Sequence, residues 1–449
     1  MKTLAWILII CGLLSGCAGE GEKEIAFRSE HISQVLDKMT DLMVNDVTNP
    51  PLAARFFSYA CLAGYEVVSQ HDSTCPSLYG RLNKYPRISR PDTISGYSYQ
   101  LSAILAMMET ARKMQPSGAA FEKYQLAFLD SCRREGLSEE KISASLAYAR
   151  VISQQILAYA KADKYNRISN YPRYTPVAGE GTWYPTPPAF FAPVEPYFNT
   201  VRSFTLDTCT QFKPAPPVAF SKDKNSGFYK LMEACYRQGN TLSRQQRDIA
   251  AFWDCNPFAL QANGHLLVGM KKISPGAHWL GITGIACKKA RVAFPRAMKI
   301  QAIVAISLMD GFIACWDEKF RSNRIRPETA IRRYLDPGWK PFLQTPPFPE
   351  YLSGHSTISS AAALILTHYF GGNFKYTDTV EERFSLPARR FSSFQQAALE
   401  AGVSRFYGGI HFMDAIDNGR QQGLQVGKWV LDKAEGRTPA LASRAGLTE

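Results

Sequence analysis

The order of apolar and polar residues predicts helices along most of the chain. Apolar side chains recur at spacings of three and four residues, the period at which one face of an α-helix is buried. Strict alternation of apolar and polar residues, which predicts half-buried β-strands, is scarce. The stretches with helical spacing are residues 32–42, 98–114, 142–161, 222–253, 293–316, 357–370, 391–401 and 414–435. The pattern therefore predicts an all-α fold.

A proline-rich segment divides the predicted helices into two groups. Ten of the 27 prolines lie between residues 171 and 217, and proline lacks the N–H group that a helix interior requires. Aromatic residues among these prolines indicate that the segment packs over the protein surface. We therefore predict two helical-bundle halves joined by a proline-rich connector. A repeat of fixed period, the mark of a solenoid, is not found.

The first residues have the pattern of a targeting segment. Lys2 supplies a positive charge, and the apolar run from Leu4 to Leu14 is too short for a permanent membrane anchor. The run ends in Leu-Ser-Gly-Cys, which resembles the cleavage box of bacterial lipoproteins and makes Cys17 the expected lipidation site. The alternative is an ordinary secretory signal. We expect an exported protein that touches the membrane only through an N-terminal lipid, anchored to the bacterial cell envelope, with the outer membrane as first choice, or secreted.

These patterns divide the chain into six segments. The order is a signal peptide at 1–16, a tether at 17–30, an N-terminal helical half at 31–170, a proline-rich connector at 171–221, a catalytic helical half at 222–436 and a tail at 437–449. The fifth segment is assigned as catalytic because it contains the three motifs described below.

Composition and charge set broad limits on function. A chain of 449 residues with 45% hydrophobic residues can bury a large core. Its formal net charge is +13. Either the surface is generally basic, or its positive field draws small anions towards a basic pocket. Basic patches interleaved with aromatic residues are missing, so we expect no nucleic-acid partner.

Cysteine and histidine spacing gives little support for a metal motif. Of ten cysteines, Cys11 lies in the signal segment and Cys17 is the lipidation candidate. The other eight are an even number, which permits disulfides in an exported protein. No Cys-x-x-Cys pair occurs, so neither a zinc site nor a thioredoxin-like motif is supported. The histidines without recognisable spacing, which we interpret as structural, are His31, His71, His265, His278 and His368.

The first of three motifs places two cations near an aromatic residue. Lys319 and Arg326 lie seven residues apart, or about two helical turns, so one helix would carry both on nearly the same face, together with Trp316. Pro327 disfavours helix at Arg326, so we expect the helix to end there and to direct this last cation into a pocket. The alternative is a solvated basic stripe, because further arginines crowd the region.

The second motif places a hydroxyl, a glycine and a histidine at a helix start. A proline-rich loop leads into Ser353, Gly354 and His355, and the following alanine-rich run predicts a helix that begins near Ser356. Free N–H groups and the helix dipole favour an anion at such a position. His355 suits acid/base chemistry, because its charge changes near neutral pH. A helix cap followed by a surface histidine is the alternative.

The third motif joins an arginine to a second histidine through a turn. Arg405 closes a predicted helix, two glycines follow, and His411 opens the next helix. Such a histidine can act as a nucleophile towards phosphorus or as a nitrogen ligand of a metal oxyanion. The alternative is a structural histidine beside a tight turn.

In this order, the three motifs resemble a known signature. K-x6-R-P, then S-G-H, then S-R-x5-H is the pattern shared by vanadium haloperoxidases and type 2 phosphatidic acid phosphatases. The resemblance implies a catalytic site in the C-terminal bundle, with His355 as acid/base and His411 as the ligand of vanadate or the nucleophile that accepts phosphate. The other residues that it implies as ligands of the oxyanion are Lys319, Arg326, Ser353, Gly354 and Arg405.

Several positions bear on the choice between the two families. The phosphatases have proline where this chain has Leu352, and they have an aspartate that orients the last histidine where it has Ala415, so a ligand role for His411 is favoured. Asp414 or Asp417 would orient His411 if the helix is shifted. Trp316 and Phe348, by contrast, match aromatic positions near the halide site of haloperoxidases, unless they are core residues.

The resemblance implies vanadate-dependent oxidation of a halide by hydrogen peroxide to hypohalous acid, with iodide as first choice and bromide next. One alternative is an acid phosphatase that binds phosphate with the same oxyanion ligands, which we call the cage, and forms a phosphohistidine intermediate. Another is a surface lipoprotein that binds a glycan or protein. A source of hypohalous acid oxidises exposed sulfur, so the first hypothesis also predicts that Cys315 and Met413 are buried, or that Cys315 is disulfide-bonded.

Overall fold

The computed structural model describes residues 25–263 and 266–438. The predicted signal segment and Cys17 lie outside this part of the chain. Within it the helices are α1 Ser29–Asn45, α2 Pro50–Ser69, α3 Tyr99–Met114, α4 Ala120–Arg134, α5 Glu139–Lys161, α6 Gly227–Asn240, α7 Arg244–Phe252, α8 Pro275–Lys289, α9 Phe294–Ser322, α10 Pro327–Tyr334, α11 Gly354–Phe370, α12 Phe394–Tyr407 and α13 Met413–Ala434. The all-α prediction is confirmed.

Two short antiparallel hairpins and three 3₁₀ turns complete the described secondary structure. Strand β1, Leu260–Asn263, pairs with β2, Leu266–Gly269, and strand β3, Tyr376–Asp378, pairs with β4, Arg389–Phe391. The 3₁₀ turns are Tyr165–Asn170, Phe198–Thr200 and Val380–Phe384. The strands are too few and too short to form a sheet that carries the fold.

Serine side chains begin seven of the described helices. In each case the hydroxyl accepts a hydrogen bond from a backbone N–H group of the first turn, which would otherwise have no partner inside the helix. These caps are Ser98, Ser138, Ser226, Ser243, Ser274, Ser353 and Ser393. Ser243 explains one difference from the sequence prediction, because it starts α7 and so divides the stretch 222–253 into two helices.

Helix α9 is the centre of the main core. It has 29 residues and packs against α2, α8, α11 and α13, so apolar side chains from both halves of the chain enter one continuous core. By length and composition α9 is apolar enough to cross a membrane, but 94% of its most apolar window is buried inside the protein. Its apolar character is therefore that of a core helix.

Glycines bring α13 unusually close to α11. Gly419, Gly423 and Gly427 recur every four residues on one face of α13. A Cβ atom at Gly423 would lie 2.2 Å from the carbonyl oxygen of Thr357, and one at Gly419 would lie 2.9 Å from that of Ser353. Any larger side chain would push the two helices apart. This contact fixes the start of α11 beside the segment that leads into α13.

The proline-rich connector packs against the rest of the protein, as predicted, and several of its hydrogen bonds reach the C-terminal half. The N–H group of Trp183 donates to the carbonyl of Asn323 at 2.9 Å, and that of Ile325 donates to Gly181 at 3.0 Å. Further along, the Val194 N–H group donates to the carbonyl of Pro347 at 3.0 Å. The connector is thereby bonded to the two loops that contain the first and second motifs.

None of the eight cysteines in the described residues forms a disulfide. Cys315 is completely buried, in agreement with the prediction for a protein that releases hypohalous acid. Met413 is only half-buried, so the prediction was wrong for this residue. It lies in the first turn of α13, which leaves part of its side chain open to solvent.

Candidate functional site

The second and third motifs meet at one pocket, although about fifty residues separate them in the chain. Gly354, His355, Arg405 and His411 line this pocket together. Most of the remaining wall is apolar, with Pro50, Pro257, Phe258, Pro275, Phe312, Trp316, Pro346, Phe348 and Ile410 among its residues. The sequence motifs therefore converge, and they do so beneath a hydrophobic opening.

The first motif reaches the site through a turn rather than along one helix. Helix α9 ends at Ser322, and Asn323 adopts the left-handed conformation with φ of 48°. The chain then reverses, and Arg326 becomes the residue before α10, with Pro327 at its first position. The expectation that Lys319 and Arg326 share one helix face was wrong. Asparagine tolerates a left-handed backbone better than most residues, which allows this turn.

Arg326 is bound in place by backbone carbonyl groups. Its Nε donates to the carbonyl of Phe348 at 2.8 Å, and its Nη1 donates to Ile410 at 2.8 Å. Nη1 also lies 3.1 Å from Nε2 of His411. The side chain is completely buried, and burial lowers the pKa of the guanidinium to about 9, so the group keeps its charge at neutral pH.

Arg405 is held from the opposite side by the segment that follows α7. Its Nη1 donates to the carbonyl of Trp253 at 2.7 Å, and its Nη2 lies 3.9 Å from Oδ1 of Asp254. Burial lowers the pKa of Arg405, while Asp254 opposes that shift. Neither Trp253 nor Asp254 belongs to a motif, and the sequence prediction did not include them.

Lys319 lies beneath the pocket and contributes positive charge. Its ammonium group has no donor left for a ligand, because backbone carbonyls accept all three. Its ammonium group donates to the carbonyls of Pro349, at 3.0 Å, Glu350, at 3.1 Å, and Leu352. The three donors of the ammonium are thereby used within the loop that precedes α11. Burial lowers the pKa of Lys319 to about 7. An anion in the pocket would oppose this shift by favouring the charged form.

Ser353 and Gly354 form the start of α11, two residues earlier than the sequence predicted. The Ser353 hydroxyl accepts from the N–H group of Ser356 at 3.3 Å. A Cβ atom at Gly354 would meet only the Trp316 ring, at 3.6 Å, so the pocket does not require glycine for lack of space. The N-terminal N–H groups of α11 carry partial positive charge, which favours an anion here.

His355 follows in the first turn of α11 and faces the pocket. Burial lowers its pKa well below the usual value, and the neighbouring Arg405 and His411 lower it further. A hydrogen bond to the Trp253 carbonyl acts in the opposite direction. The imidazole is therefore neutral and can accept a proton.

His411 is oriented by Glu350, which the sequence prediction missed. Nδ1 of His411 lies 2.9 Å from Oε1 of Glu350, and the same oxygen accepts from the Phe412 N–H group at 2.9 Å. The carboxylate places the ring proton on Nδ1, so Nε2 keeps its lone pair. Burial and the charge of Arg326 lower the pKa of His411 well below its usual value, which keeps Nε2 available as a ligand.

Neither aspartate that was considered for this role performs it. Asp414 binds Arg324 through two hydrogen bonds of 2.5 and 2.8 Å, and Arg324 in turn binds Glu350 at 2.6 Å. Asp417 is exposed. Asp414 thus acts on His411 only through Arg324 and Glu350. The signal in the sequence was the carboxylate of Glu350 itself, which lies inside an apolar, proline-rich loop.

Trp316 and Phe348 pack together at the pocket wall. Their ring centroids are 5.0 Å apart, and the Trp316 indole donates to the Val194 carbonyl at 3.1 Å. The Phe348 ring lies 5.0 Å from both the Lys319 ammonium and the Arg326 guanidinium carbon. Aromatic faces attract cations, so Phe348 stabilises the two charges while it shields them from water.

Several buried nitrogen atoms around the pocket lack a protein partner. Nη2 of Arg326, Nε of Arg405 and Nε2 of His355 have no hydrogen-bond partner among the described residues. Buried polar groups are normally paired, and leaving one unpaired costs about 1–3 kcal/mol. An oxyanion with several acceptor oxygens would satisfy the two arginine donors, and a protonated oxygen on it would donate to Nε2 of His355. Nε2 of His411, which lies 3.1 Å from Nη1 of Arg326, would ligate the central atom in place of that contact. The residues present therefore fit vanadate.

Comparisons with known proteins agree with this site. A family model described as the VCPO second helical-bundle domain matches residues 299–438. The crystal structure of the first bacterial vanadium-dependent iodoperoxidase has 40% sequence identity and a TM-score of 0.86, over 92% of this chain and 98% of that chain. No curated protein sequence matches.

More distant structures share the fold. The holo-type crystal structure of a bacterial vanadium-dependent chloroperoxidase has 14% identity and a TM-score of 0.67, over 92% of this chain and 98% of that chain. The corresponding apo-type structure has 14% identity and a TM-score of 0.64, over 87% and 96%. With the 40% identity to the iodoperoxidase, which extends over nearly the whole chain, these observations show that the chain belongs to the vanadium-dependent haloperoxidases.

Proposed function

We propose that this protein binds vanadate at His411 and uses hydrogen peroxide to oxidise iodide to hypoiodous acid, with bromide as a second substrate. Family membership carries the general reaction, the oxidation of a halide by peroxide. The assignment of the site rests on the unpartnered buried donors of Arg326 and Arg405, together with the unpartnered Nε2 of His355, around the His411 imidazole.

The cofactor would be held by charge and by one nitrogen ligand. Nε2 of His411 is the ligand, because Glu350 holds the ring proton on Nδ1. Arg326 and Arg405 donate to the oxygens, and Lys319 contributes charge from below. The start of α11, at Ser353 and Gly354, adds backbone N–H groups. Charge-assisted hydrogen bonds from arginine suit a multiply charged oxyanion.

The protein's own part in the reaction is to bind, orient and move protons. Vanadate, when bound, would supply the activation of hydrogen peroxide towards halide. His355, whose lowered pKa keeps it neutral, would accept the peroxide proton at Nε2 and return it to the product. The fixed cations stabilise negative charge as it develops, and the closed apolar wall excludes water.

The apolar pocket wall supports iodide as the substrate. Trp316, Phe348, Phe258 and Ile410 offer few hydrogen-bonding groups, which disfavours a small, strongly hydrated anion more than a large, weakly hydrated one. The 40% identity to a bacterial iodoperoxidase supports the same choice.

One pair of assays separates halide oxidation from phosphatase activity. Purified protein is incubated with orthovanadate and then assayed with hydrogen peroxide and iodide, bromide or chloride. A second sample without vanadate is given p-nitrophenyl phosphate. We expect triiodide formation that requires vanadate and is fastest with iodide. If vanadate-loaded protein does not oxidise iodide while the second sample hydrolyses the phosphate ester, the proposal is wrong and the phosphatase hypothesis is correct.

We also propose export and lipid anchoring through Cys17, on the basis of the Leu-Ser-Gly-Cys pattern. Expression in a bacterium with a labelled fatty acid tests it. Label in the wild-type protein and no label in the Cys17→Ala variant is the expected result. Equal labelling, or none in either protein, contradicts the proposal.

A further inference from the structure

A second buried cluster of ionisable side chains adjoins the pocket, and Cys255 belongs to both. Cys255 follows α7, His278 is in the first turn of α8, and Glu381 lies in the 3₁₀ turn Val380–Phe384. All three are buried, and their donor atoms lie within 4.8 Å of one another. Nδ1 of His278 is 3.0 Å from Oε1 of Glu381 and 3.9 Å from Sγ of Cys255.

A fourth residue binds the opposite edge of the histidine ring. Nε2 of His278 lies 2.8 Å from Oδ2 of Asp378, at the end of β3. Histidines that ligate a metal through one ring nitrogen commonly donate the other N–H to a carboxylate, which fixes the tautomer and orients the ring. Asp378 has this position relative to His278. The side chain of His278 is completely buried between these groups.

The arrangement does not suit a cysteine nucleophile. In a nucleophilic pair, the histidine nitrogen that faces the thiol must accept its proton. Here Glu381 is closer to that nitrogen than Cys255 is, so the carboxylate holds a proton on Nδ1. Without a cation, His278 must therefore carry both ring protons to pair with Asp378 and Glu381. A metal ion would replace the proton on Nδ1 and bring the thiolate and the carboxylate together.

We propose that Cys255, His278 and Glu381 bind a zinc ion, with Asp378 orienting His278. Thiolate, imidazole and carboxylate are the ligand types that zinc prefers, with metal–ligand distances of about 2.0–2.3 Å. Tetrahedral geometry at those distances places neighbouring ligand atoms about 3.2–3.8 Å apart. The observed separations require only small side-chain movements. Three protein ligands leave one position for water.

The zinc site has the opposite charge preference from the vanadate cage. Its ligands are a thiol and a carboxylate, with a second carboxylate behind the imidazole, whereas arginine and lysine surround His411. Vanadate is an anion, so the thiolate and the carboxylates of the zinc site would repel it. The two sites would therefore not compete for the same ion.

The zinc ion would also support the cage, a consequence that rests on the proposed function. Cys255 is two residues after Trp253, whose carbonyl binds Arg405, and adjacent to Asp254, which pairs with the same arginine. The Trp253 ring stacks on His278 at 4.6 Å between centroids. A metal that joins Cys255 to α8 would fix this segment and so fix Arg405.

Metal content tests the proposal without vanadate, peroxide or halide. Wild-type full-length protein is prepared with a phosphine reductant, incubated with zinc, freed of excess metal and analysed by mass spectrometry of the elements. We expect about one zinc per chain, and its loss in Cys255→Ser. The matched control is Cys287→Ser, because Cys287 is equally buried and lies on the same helix as His278. This control should keep its zinc.

Cobalt substitution tests the thiolate ligand in the unaltered protein, so the result does not depend on the folding of a variant. We expect a thiolate-to-cobalt absorption band in the near ultraviolet and visible bands of tetrahedral intensity. Wild-type protein that binds no zinc, zinc content that is equal in Cys255→Ser, or cobalt bound without the thiolate band would each overturn the proposal. Failure to oxidise iodide would not, since these measurements do not involve the vanadate cage.

Discussion

The two buried clusters, one around His411 and one around His278, differ in charge and in how they appear in the sequence. Residues 253–255, which follow α7, contact both clusters. The cage around His411 collects cations and contains buried donors that lack protein partners. The cluster around His278 collects a thiol and carboxylates, and its ring nitrogens are both paired. These charges favour an oxyanion at the first cluster and a metal cation at the second, as we propose. Two histidines with similar burial can therefore suit ions of opposite charge, because the charges of the neighbouring side chains determine which ion is stabilised.

Replacement of His355 is expected to give the largest change that separates catalysis from cofactor binding. His355→Ala removes the group that accepts the peroxide proton, and general acid/base catalysis contributes about 10²–10⁴-fold to a rate. We expect kcat for iodide oxidation to fall by this range while vanadium and zinc content stay unchanged. His368→Ala, at a histidine away from both clusters, should retain full activity. An unchanged kcat in His355→Ala would exclude the proposed proton transfer.

Replacement of Glu350 tests the orientation of the vanadate ligand. Glu350→Gln keeps the size of the side chain but removes the charge that holds the His411 proton on Nδ1, and loss of such a partner costs about 10–100-fold in metal affinity or activity. Vanadate titration of iodide oxidation should show this loss, with zinc content unchanged. Asp417→Asn is the control, since Asp417 is exposed. Equal losses of vanadate affinity in Glu350→Gln and Asp417→Asn would contradict the role of Glu350 in orienting His411.

The pH dependence of vanadate affinity sharpens the contrast in charge. Burial lowers the pKa of Lys319 to about 7, and a bound anion would favour its charged form. Below this pKa the lysine is already charged. Above it, binding must take up a proton, so affinity should fall by about tenfold per pH unit from this group. Lys319→Arg keeps its charge and should lessen the slope, whereas equal slopes would show that Lys319 does not titrate.

Replacement of Phe348 should have the smallest effect of the four. Phe348→Leu keeps an apolar side chain but removes the ring beside the Lys319 ammonium and the Arg326 guanidinium. Each such contact contributes about 0.5–2 kcal/mol, so we expect kcat/KM for iodide to fall by roughly tenfold or less. Phe121→Leu, at a buried ring in α4 away from the pocket, is the control for a general loss of packing. A rise in iodide kcat/KM would contradict the stabilising role of the ring.

The convergence of the second and third motifs on one pocket was predictable because their signals are local. A helix start at Ser353, a turn at Gly408 and Gly409, and the order of the basic residues all lie within short stretches of sequence. The role of Glu350 was missed because its contact with His411 joins residues 61 apart. The turn at Asn323 depends on one left-handed residue, which the spacing from Lys319 to Arg326 does not reveal.

The cluster around His278 gave no signal in the sequence at all. Cys255, His278, Asp378 and Glu381 come from four separate segments, with spacings that match no zinc motif. The contacts depend on how the loop after α7, the start of α8 and the second hairpin pack together. Pattern analysis therefore identified His278 only as a structural histidine. Only the three-dimensional arrangement shows that these donor atoms converge.

The most direct test of the account is the vanadium content of wild-type protein and His411→Ala after incubation with orthovanadate and removal of the excess. We predict about one vanadium per wild-type chain, little or none in His411→Ala, and the same zinc content in both. Vanadium retained by His411→Ala, or absent from correctly folded wild-type protein, would contradict the assignment of this pocket as the vanadate site.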